Sequence, residues 1–311
     1  MNGKIDVVFS LDANYIQHFC VAVTSLLENN LKNIDRIFLI TDIDKKGSLE
    51  NTFSFILTKY KKEIIYLKFD NSIIKKFKVD SHISQAAYYR LFLPEILPVD
   101  VDKVLYLDSD IVVNEYLDSL FQLEFKSSTS IKGIVNELKT APQDPEEFYL
   151  FAVSEVRWQN LNRLQSIGLS GCKYFNSGVL LINLKKWRVE NITKKLISIA
   201  LNYKDKLKFH DQDVLNIAFE NYWGELNYKF NTVNLDFLEE KVYKKNYSII
   251  HYTGGSKPWH YRNRHPLKLV YWYYLWKTPY RYYIPEDITF KSIVKKLFKP
   301  LLINKKLQKF K

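Results

Sequence analysis

Only 9 glycines and 9 prolines occur among 311 residues, which excludes a collagen-like or linker-dominated chain. Two cysteines, Cys20 and Cys172, are too few for a disulfide framework or a thiolate zinc centre. Cys20 falls in an apolar helical pattern and reads as a small core hydrophobe. No apolar run reaches the roughly 18 residues that a membrane-crossing helix needs. The first residues run straight into a strand-like segment, without the charged and then apolar stretches of a secretory leader. These absences together point to a reducing, cytoplasmic compartment. Disorder is also excluded, because 47% apolar against 26% charged residues can bury a core.

The net charge of +12 is unevenly spread. Residues 257–311 hold 14 Lys or Arg and 2 Asp or Glu, so residues 1–256 carry 32 of each sign and no net charge. Nucleic-acid enzymes usually spread basic groups over the body, so no nucleic-acid partner is expected.

Ile5–Ser10, Arg36–Thr41 and Glu63–Phe69 read as buried strands, with helices at Tyr15–Glu28 and Ser48–Tyr60 between them. This β-α-β-α-β order favours an α/β fold with a mostly parallel sheet and helices on its faces. Ser84–Leu93 reads as a helix stopped by Pro94. Lys103–Leu107, Ile131–Val135, Gly178–Leu184 and Tyr247–His251 read as further strands, and Lys186–Tyr203 and Asp211–Asn221 as helices. Pro142–Arg163, polar with scattered aromatics, reads as a lid or an inserted helix pair.

Five segments carry chemistry. The strand Lys103–Leu107 ends in Asp108-Ser109-Asp110. That puts two carboxylates at the carboxyl edge of the sheet, where α/β folds bind ligands. Such close carboxylates repel unless a cation lies between them, and oxygen ligands suit Mg²⁺ or Mn²⁺; an ordinary acidic turn is the alternative. His251 to His260 follows the last strand and contains Gly254, Gly255 and Lys257. An imidazole, exposed backbone N–H groups and an ammonium suit a metal and a phosphate; a glycine turn beside a core histidine is the alternative. His210-Asp211-Gln212-Asp213 opens a helix, where Asp211 reads either as an N-cap or as a group facing sugar hydroxyls. Phe175-Asn176-Ser177-Gly178 sets small polar groups at the mouth of an apolar strand. Asp12-Ala13-Asn14-Tyr15 reads as a helix cap or as hydrogen-bonding and stacking groups for a nucleobase.

Taken jointly, Val8–Tyr15, Tyr89–Leu91, Lys103–Asp110, Tyr174–Arg188, Asp211–Asn216 and His251–His260 resemble glycosyltransferase family 8. Its members are retaining enzymes that include bacterial lipopolysaccharide galactosyl- and glucosyltransferases. The matching pieces fall in the family's order across residues 5–260 and weaken between Asn136 and Lys173. The resemblance implies a GT-A fold, an α/β nucleotide-sugar-binding domain with a mixed central sheet and helices on both faces. It implies that Asp108, Asp110 and His251 ligate Mn²⁺, with Mg²⁺ able to substitute. Asp12, Asn14 and Tyr15 would hold uracil, and Gly254 and Lys257 would contact the pyrophosphate. Ser109 would belong to the same donor-binding stretch. Arg90, Asn176, Asp211 and Gln212 would line the donor sugar, with Asp211 and Gln212 beneath it as the catalytic pair. The expected reaction moves glucose or galactose from a UDP-sugar to a saccharide acceptor in lipopolysaccharide or capsule synthesis. Rival readings are a protein-glycosylating member of the family, an inactive nucleotide-sugar or glycan binder, and a nucleotidyltransferase.

Residues 1–260 are expected to form the catalytic domain and residues 261–311 a basic, aromatic, helical tail. Tyr271–Trp276 and the lysines of Lys291–Lys311 suit an anionic membrane surface. The expected location is therefore peripheral, on the inner face of the cell membrane, near a lipid-linked acceptor.

Overall fold

A computed structural model describes residues 4–77, 85–126, 147–155, 161–170, 173–233, 247–290 and 292–293. The chain forms β1 (Ile5–Ser10), α1 (Ile16–Asn30), β2 (Ile34–Thr41), α2 (Ser48–Tyr60), β3 (Ile64–Lys68), α3 (Leu93–Ile96) and β4 (Lys103–Leu107). Then come β5 (Ile111–Val113), α4 (Asp118–Phe121), β6 (Leu150–Ser154), α5 (Leu161–Ser166), β7 (Phe175–Asn183), α6 (Leu184–Val189) and α7 (Ile192–Asn202). The last elements are α8 (His210–Ala218), β8 (Trp223–Leu226), β9 (Thr232–Val233), β10 (Ile249–His251) and α9 (Lys268–Trp276).

One mixed sheet has the order β3-β2-β1-β4-β7-β6-β8, and a smaller one the order β5-β10-β9. β1 to β4 run parallel, and β7 is antiparallel to both β4 and β6. Side chains alternate across a strand, so Val7 and Phe9 face one layer and Val8 the other. The first layer adds Leu105, Leu107 and Leu181 to Phe19 and Leu26 of α1 and Ile56 of α2. The second adds Tyr106, Leu180 and Ile182 to Trp187, Leu196 and Leu215 from α6, α7 and α8. Helices thus cover both faces of a sheet whose central strands are buried throughout, which explains their unbroken apolar runs.

Several local expectations change. Gln85–Phe92 is a 3₁₀ helix, and Pro94 does not stop it: it lies in the first turn of α3, where its missing N–H costs no helical bond. The helix expected over Lys186–Tyr203 is two, α6 and α7, separated at Asn191 with φ +50°. Asp211 does not cap α8, because the helix starts at His210 with Phe209 in the capping position. Within Pro142–Arg163, Leu150–Ser154 is β6, buried in the main sheet rather than in a lid. The strand expected at Ile131–Val135 and most of the helical tail expected over Lys291–Lys311 lie outside the described residues.

The break expected at residue 260 is not a break in packing. Tyr271, Tyr274 and Leu275 of α9 are buried with Val21, Val112, Tyr252 and Trp259. The Tyr271–Trp276 stretch is therefore half core; its other half, with Tyr273 51% and Trp276 58% exposed, faces outward. Among the described residues no helix is long and apolar enough to cross a membrane.

Candidate active site

From β1 the chain builds outward to β2 and β3, then returns to place β4 on the other side of β1. The carboxyl ends of β1 and β4 therefore flank a topological switch point, where open α/β sheets form a ligand crevice. Asp12 leaves β1 there and Asp108 leaves β4. β7 runs the other way, so its first residues join the same edge, and Asp108 N–H donates to Gly178 O at 2.8 Å. In the small sheet, His251 pairs with Ile111, which puts it beside Asp110.

Asp108, Asp110 and His251 each present an atom able to ligate, all within 4.8 Å of one another. His251 Nε2 lies 3.2 Å from Asp110 Oδ1 and 3.7 Å from Asp108 Oδ2. Two carboxylates and an imidazole form a donor set suited to a divalent metal ion. Gly178 makes room for this cluster: a Cβ there would lie 2.2 Å from His251 Cε1 and 2.7 Å from Asp108 Oδ2. The donor set and the cradle both fit a metal. Burial alone would push the Asp110 carboxyl upward, but Lys257 and His251 hold it well below the usual carboxylate range.

Arg90, 4% exposed, joins two carboxylates. Its guanidinium donates to Asp108 Oδ1 at 2.7 Å, to Ser177 O at 2.5 Å and to Ala87 O at 3.0 Å, and ion-pairs with Asp211 Oδ2 at 3.1 Å. It lies over the Tyr106 ring, whose hydroxyl donates to Asp108 Oδ1. Arg90 thus stands behind the carboxylates and orients them. Asp211 also accepts from Ser177 Oγ at 3.1 Å. Burial raises its pKa to about 6, against the opposing pull of Arg90. Gln212 accepts from Ser177 N–H at 3.0 Å and donates to Glu155 Oε2 at 3.2 Å. Asn176 donates to the same Glu155 oxygen at 3.1 Å. Asp213 turns away, accepting from Tyr174 Oη and the N–H groups of Lys208 and Phe209, and pairing with Arg163.

Lys257 is held by Asp110 Oδ2 at 2.5 Å and by Tyr252 O at 2.8 Å. Gly254 has φ +77°, a left-handed turn that favours glycine, and open space lies where its Cβ would be. Asp12 Oδ1 accepts from Asn14 N–H at 2.8 Å and so caps the 3₁₀ turn Ala13–Tyr15, leaving the Asn14 side chain exposed. Tyr15 packs edge-on against Trp259, and burial together with Asp110, Asp12 and Asp108 raises its phenol pKa. Ser109 is buried and donates to Ser10 O, tying β4 to β1 rather than facing the cluster.

The sequence reading missed Glu155 and Asn231. Asn231 Oδ1 lies 2.9 Å from His251 Nδ1. Glu155 falls in Pro142–Arg163, which reads as a lid or an inserted helix pair, and Asn231 stands in no motif, so neither carries a spacing signal. Recognising Leu150–Ser154 as a strand would have placed Glu155 at its end.

A family model described as Glycosyl transferase family 8 matches residues 6–263. A lipopolysaccharide 1,2-glucosyltransferase of Escherichia coli K12 is 30% identical over 96% of this chain and 86% of its own length. General stress protein A of Bacillus subtilis is 29% identical over 86% of this chain and 92% of its own. The crystal structure of galactosyltransferase LgtC in complex with donor and acceptor sugar analogs superposes with a TM-score of 0.73 at 27% identity, covering 91% of this chain and 98% of that one.

Proposed function

The chain belongs to glycosyl transferase family 8, is a retaining hexosyltransferase of glycan synthesis, and from that premise we propose the donor, metal and acceptor that its site takes. The donor is UDP-glucose or UDP-galactose. The observation that carries this reading is the convergence of Asp108, Asp110 and His251, from separate strand ends, within 4.8 Å at the switch point. Asp108, Asp110 and His251 would hold Mn²⁺, or Mg²⁺ in its place, which would supply Lewis-acid stabilisation of the departing diphosphate.

The chain's own residues do the rest. Asp12, Asn14 and Tyr15, beside the first strand's end, take the uracil. Lys257 turns from Asp110 to the diphosphate and, with the left-handed backbone at Gly254, meets its growing negative charge. Asp211 and Gln212 lie beneath the sugar, next to Asn176. When ionised, Asp211 stabilises the positive charge that develops at C1. Arg90 bridges Asp211 and Asp108 and so holds the two carboxyl groups in place beside each other. Asp211 is already engaged by Arg90 and Ser177, an arrangement suited to electrostatic support and to binding hydroxyls.

The acceptor is a lipid-linked saccharide, in keeping with the lipopolysaccharide enzymes among the relatives. Outward-facing Tyr273 and Trp276, with the basic stretch to Lys311, support a peripheral seat on an anionic membrane face, each lysine adding about 1 kcal/mol near the surface. On this reading residues 1–260 carry the catalysis, and within residues 261–311 the outer face of α9 and the basic stretch after it carry the membrane contact. UDP release from UDP-glucose or UDP-galactose, measured with and without Mn²⁺ and a lipid-linked acceptor fraction, tests the assignment. Metal-dependent release with label in the lipid extract is expected. Label in protein would redirect the acceptor, release of pyrophosphate would indicate a nucleotidyltransferase, and no turnover with either donor would favour a binder.

A further inference from the structure

We propose that Asn231 is a positioning residue that fixes which nitrogen of His251 carries the proton, and that its own orientation is dictated by the backbone N–H of Gly178. The inference rests on the metal reading of Asp108, Asp110 and His251.

Four hydrogen bonds in series support it, and the polarity of the first is beyond choice. Gly178 N–H can only donate, and it does so to the side chain of Asn176 at 2.9 Å. The atom facing it must therefore be Asn176 Oδ1. That leaves Asn176 Nδ2 directed at the Glu155 carboxylate, an acceptor, 3.1 Å away. The two ends of Asn176 thus fix its amide independently and agree. Asn231 approaches the same Asn176 Oδ1 at 2.8 Å, so it must present its Nδ2. Its Oδ1 then faces His251 Nδ1 at 2.9 Å, and an amide oxygen can only accept. His251 must carry its proton on Nδ1. In the neutral ring Nε2 is then a bare lone pair.

That lone pair points at two carboxylate oxygens, 3.2 and 3.7 Å away. The relay therefore makes Nε2 the ring nitrogen that faces the carboxylates and is available to a metal. The links that join Gly178, Asn176, Asn231 and His251 are buried, so water does not compete for them. Partners that fix a ligating histidine's tautomer commonly change metal affinity by about 10–100-fold when lost. Asn176 also borders the proposed sugar pocket through Glu155 and Gln212, so the same relay connects metal and sugar ends of the site.

The test uses the full-length protein labelled with ¹⁵N-histidine. Long-range ¹H–¹⁵N spectra, with His251 assigned by difference from His251→Gln, report which ring nitrogen is protonated. In the wild type Nδ1 is expected to carry the proton; a bare Nδ1 overturns the proposal. Asn231→Leu, similar in size but without polar atoms, should lose the tautomer preference and bind Mn²⁺ about 10–100-fold more weakly by calorimetry. Asn231→Asp, which still accepts from Nδ1–H although it loses the donor to Asn176 Oδ1, should keep the proton on Nδ1. Unchanged tautomer and affinity in Asn231→Leu, or a bare Nδ1 in Asn231→Asp, would overturn it. Should the wild type bind no Mn²⁺, the metal reading fails, and the protonation of Nδ1 still decides the role of Asn231.

Discussion

Lys257 places its ammonium 2.5 Å from Asp110 Oδ2, on a carboxylate that the proposed chemistry gives to a metal ion. The lysine stands in for the metal's charge and must leave Asp110 to reach a diphosphate. Lys257→Met should therefore change two affinities in opposite directions. Mn²⁺ should bind several-fold more tightly in the absence of nucleotide. UDP should bind about 10–100-fold more weakly with Mn²⁺ present, the loss of one charge-assisted contact worth about 1.5–3 kcal/mol. Calorimetry measures both. Loss of both affinities together would show that Lys257 is structural instead.

The raised pKa of Asp211, about 6 against an ordinary 3.8, predicts a pH effect with a definite sign. The folded state holds the proton more tightly than the unfolded chain, so this group's contribution to stability falls as pH rises from 3.8 to about 6. The upper bound is about 3 kcal/mol at 1.36 kcal/mol per pH unit. Asp211→Asn should remove that part of the decline in urea titrations between these pH values. In turnover the ionised form is needed, so kcat/KM should rise through about pH 6 and Asp211→Asn should flatten the rise while cutting kcat more than UDP affinity. A pH profile unchanged by the substitution would remove Asp211 from the chemistry.

Gly178→Ala tests how closely the cluster is packed. The added methyl would meet both His251 and Asp108. Mn²⁺ binding should fall at least tenfold, a penalty of about 1.4 kcal/mol or more. Metal affinity equal to the wild type would mean that the three side chains do not act from these positions.

Deleting residues 291–311 should weaken sedimentation with anionic vesicles while leaving UDP release in solution unchanged. Deletion from residue 261 should instead unfold the protein, because it removes Tyr271, Tyr274 and Leu275 from the core. Vesicle binding unaffected by the shorter deletion would reject the membrane role of the tail.

The sequence shows the elements whose residues are constrained by one cause. β1 and β4 are buried on both faces, so apolar runs mark them directly, and Asp108, Asp110 and His251 are visible because they end strands. Asn191 divides what periodicity reads as one helix, because apolar spacing continues across the kink. β6 is hidden by the polar sequence on either side of it. Arg90 is legible as a residue but not in its role, since only the fold shows that it bridges Asp108 and Asp211. Asn231 reaches His251 and Asn176 across 20 and 55 positions, and an amide has no spacing rule that would reveal such a link.

The most direct measurement is an anomalous difference map at the manganese edge from crystals grown with Mn²⁺ and UDP. One strong peak within ligating distance of Asp108, Asp110 and His251, with the diphosphate against it, is the predicted result. A manganese peak elsewhere on the chain, with nucleotide bound and those three side chains without metal, would contradict the account.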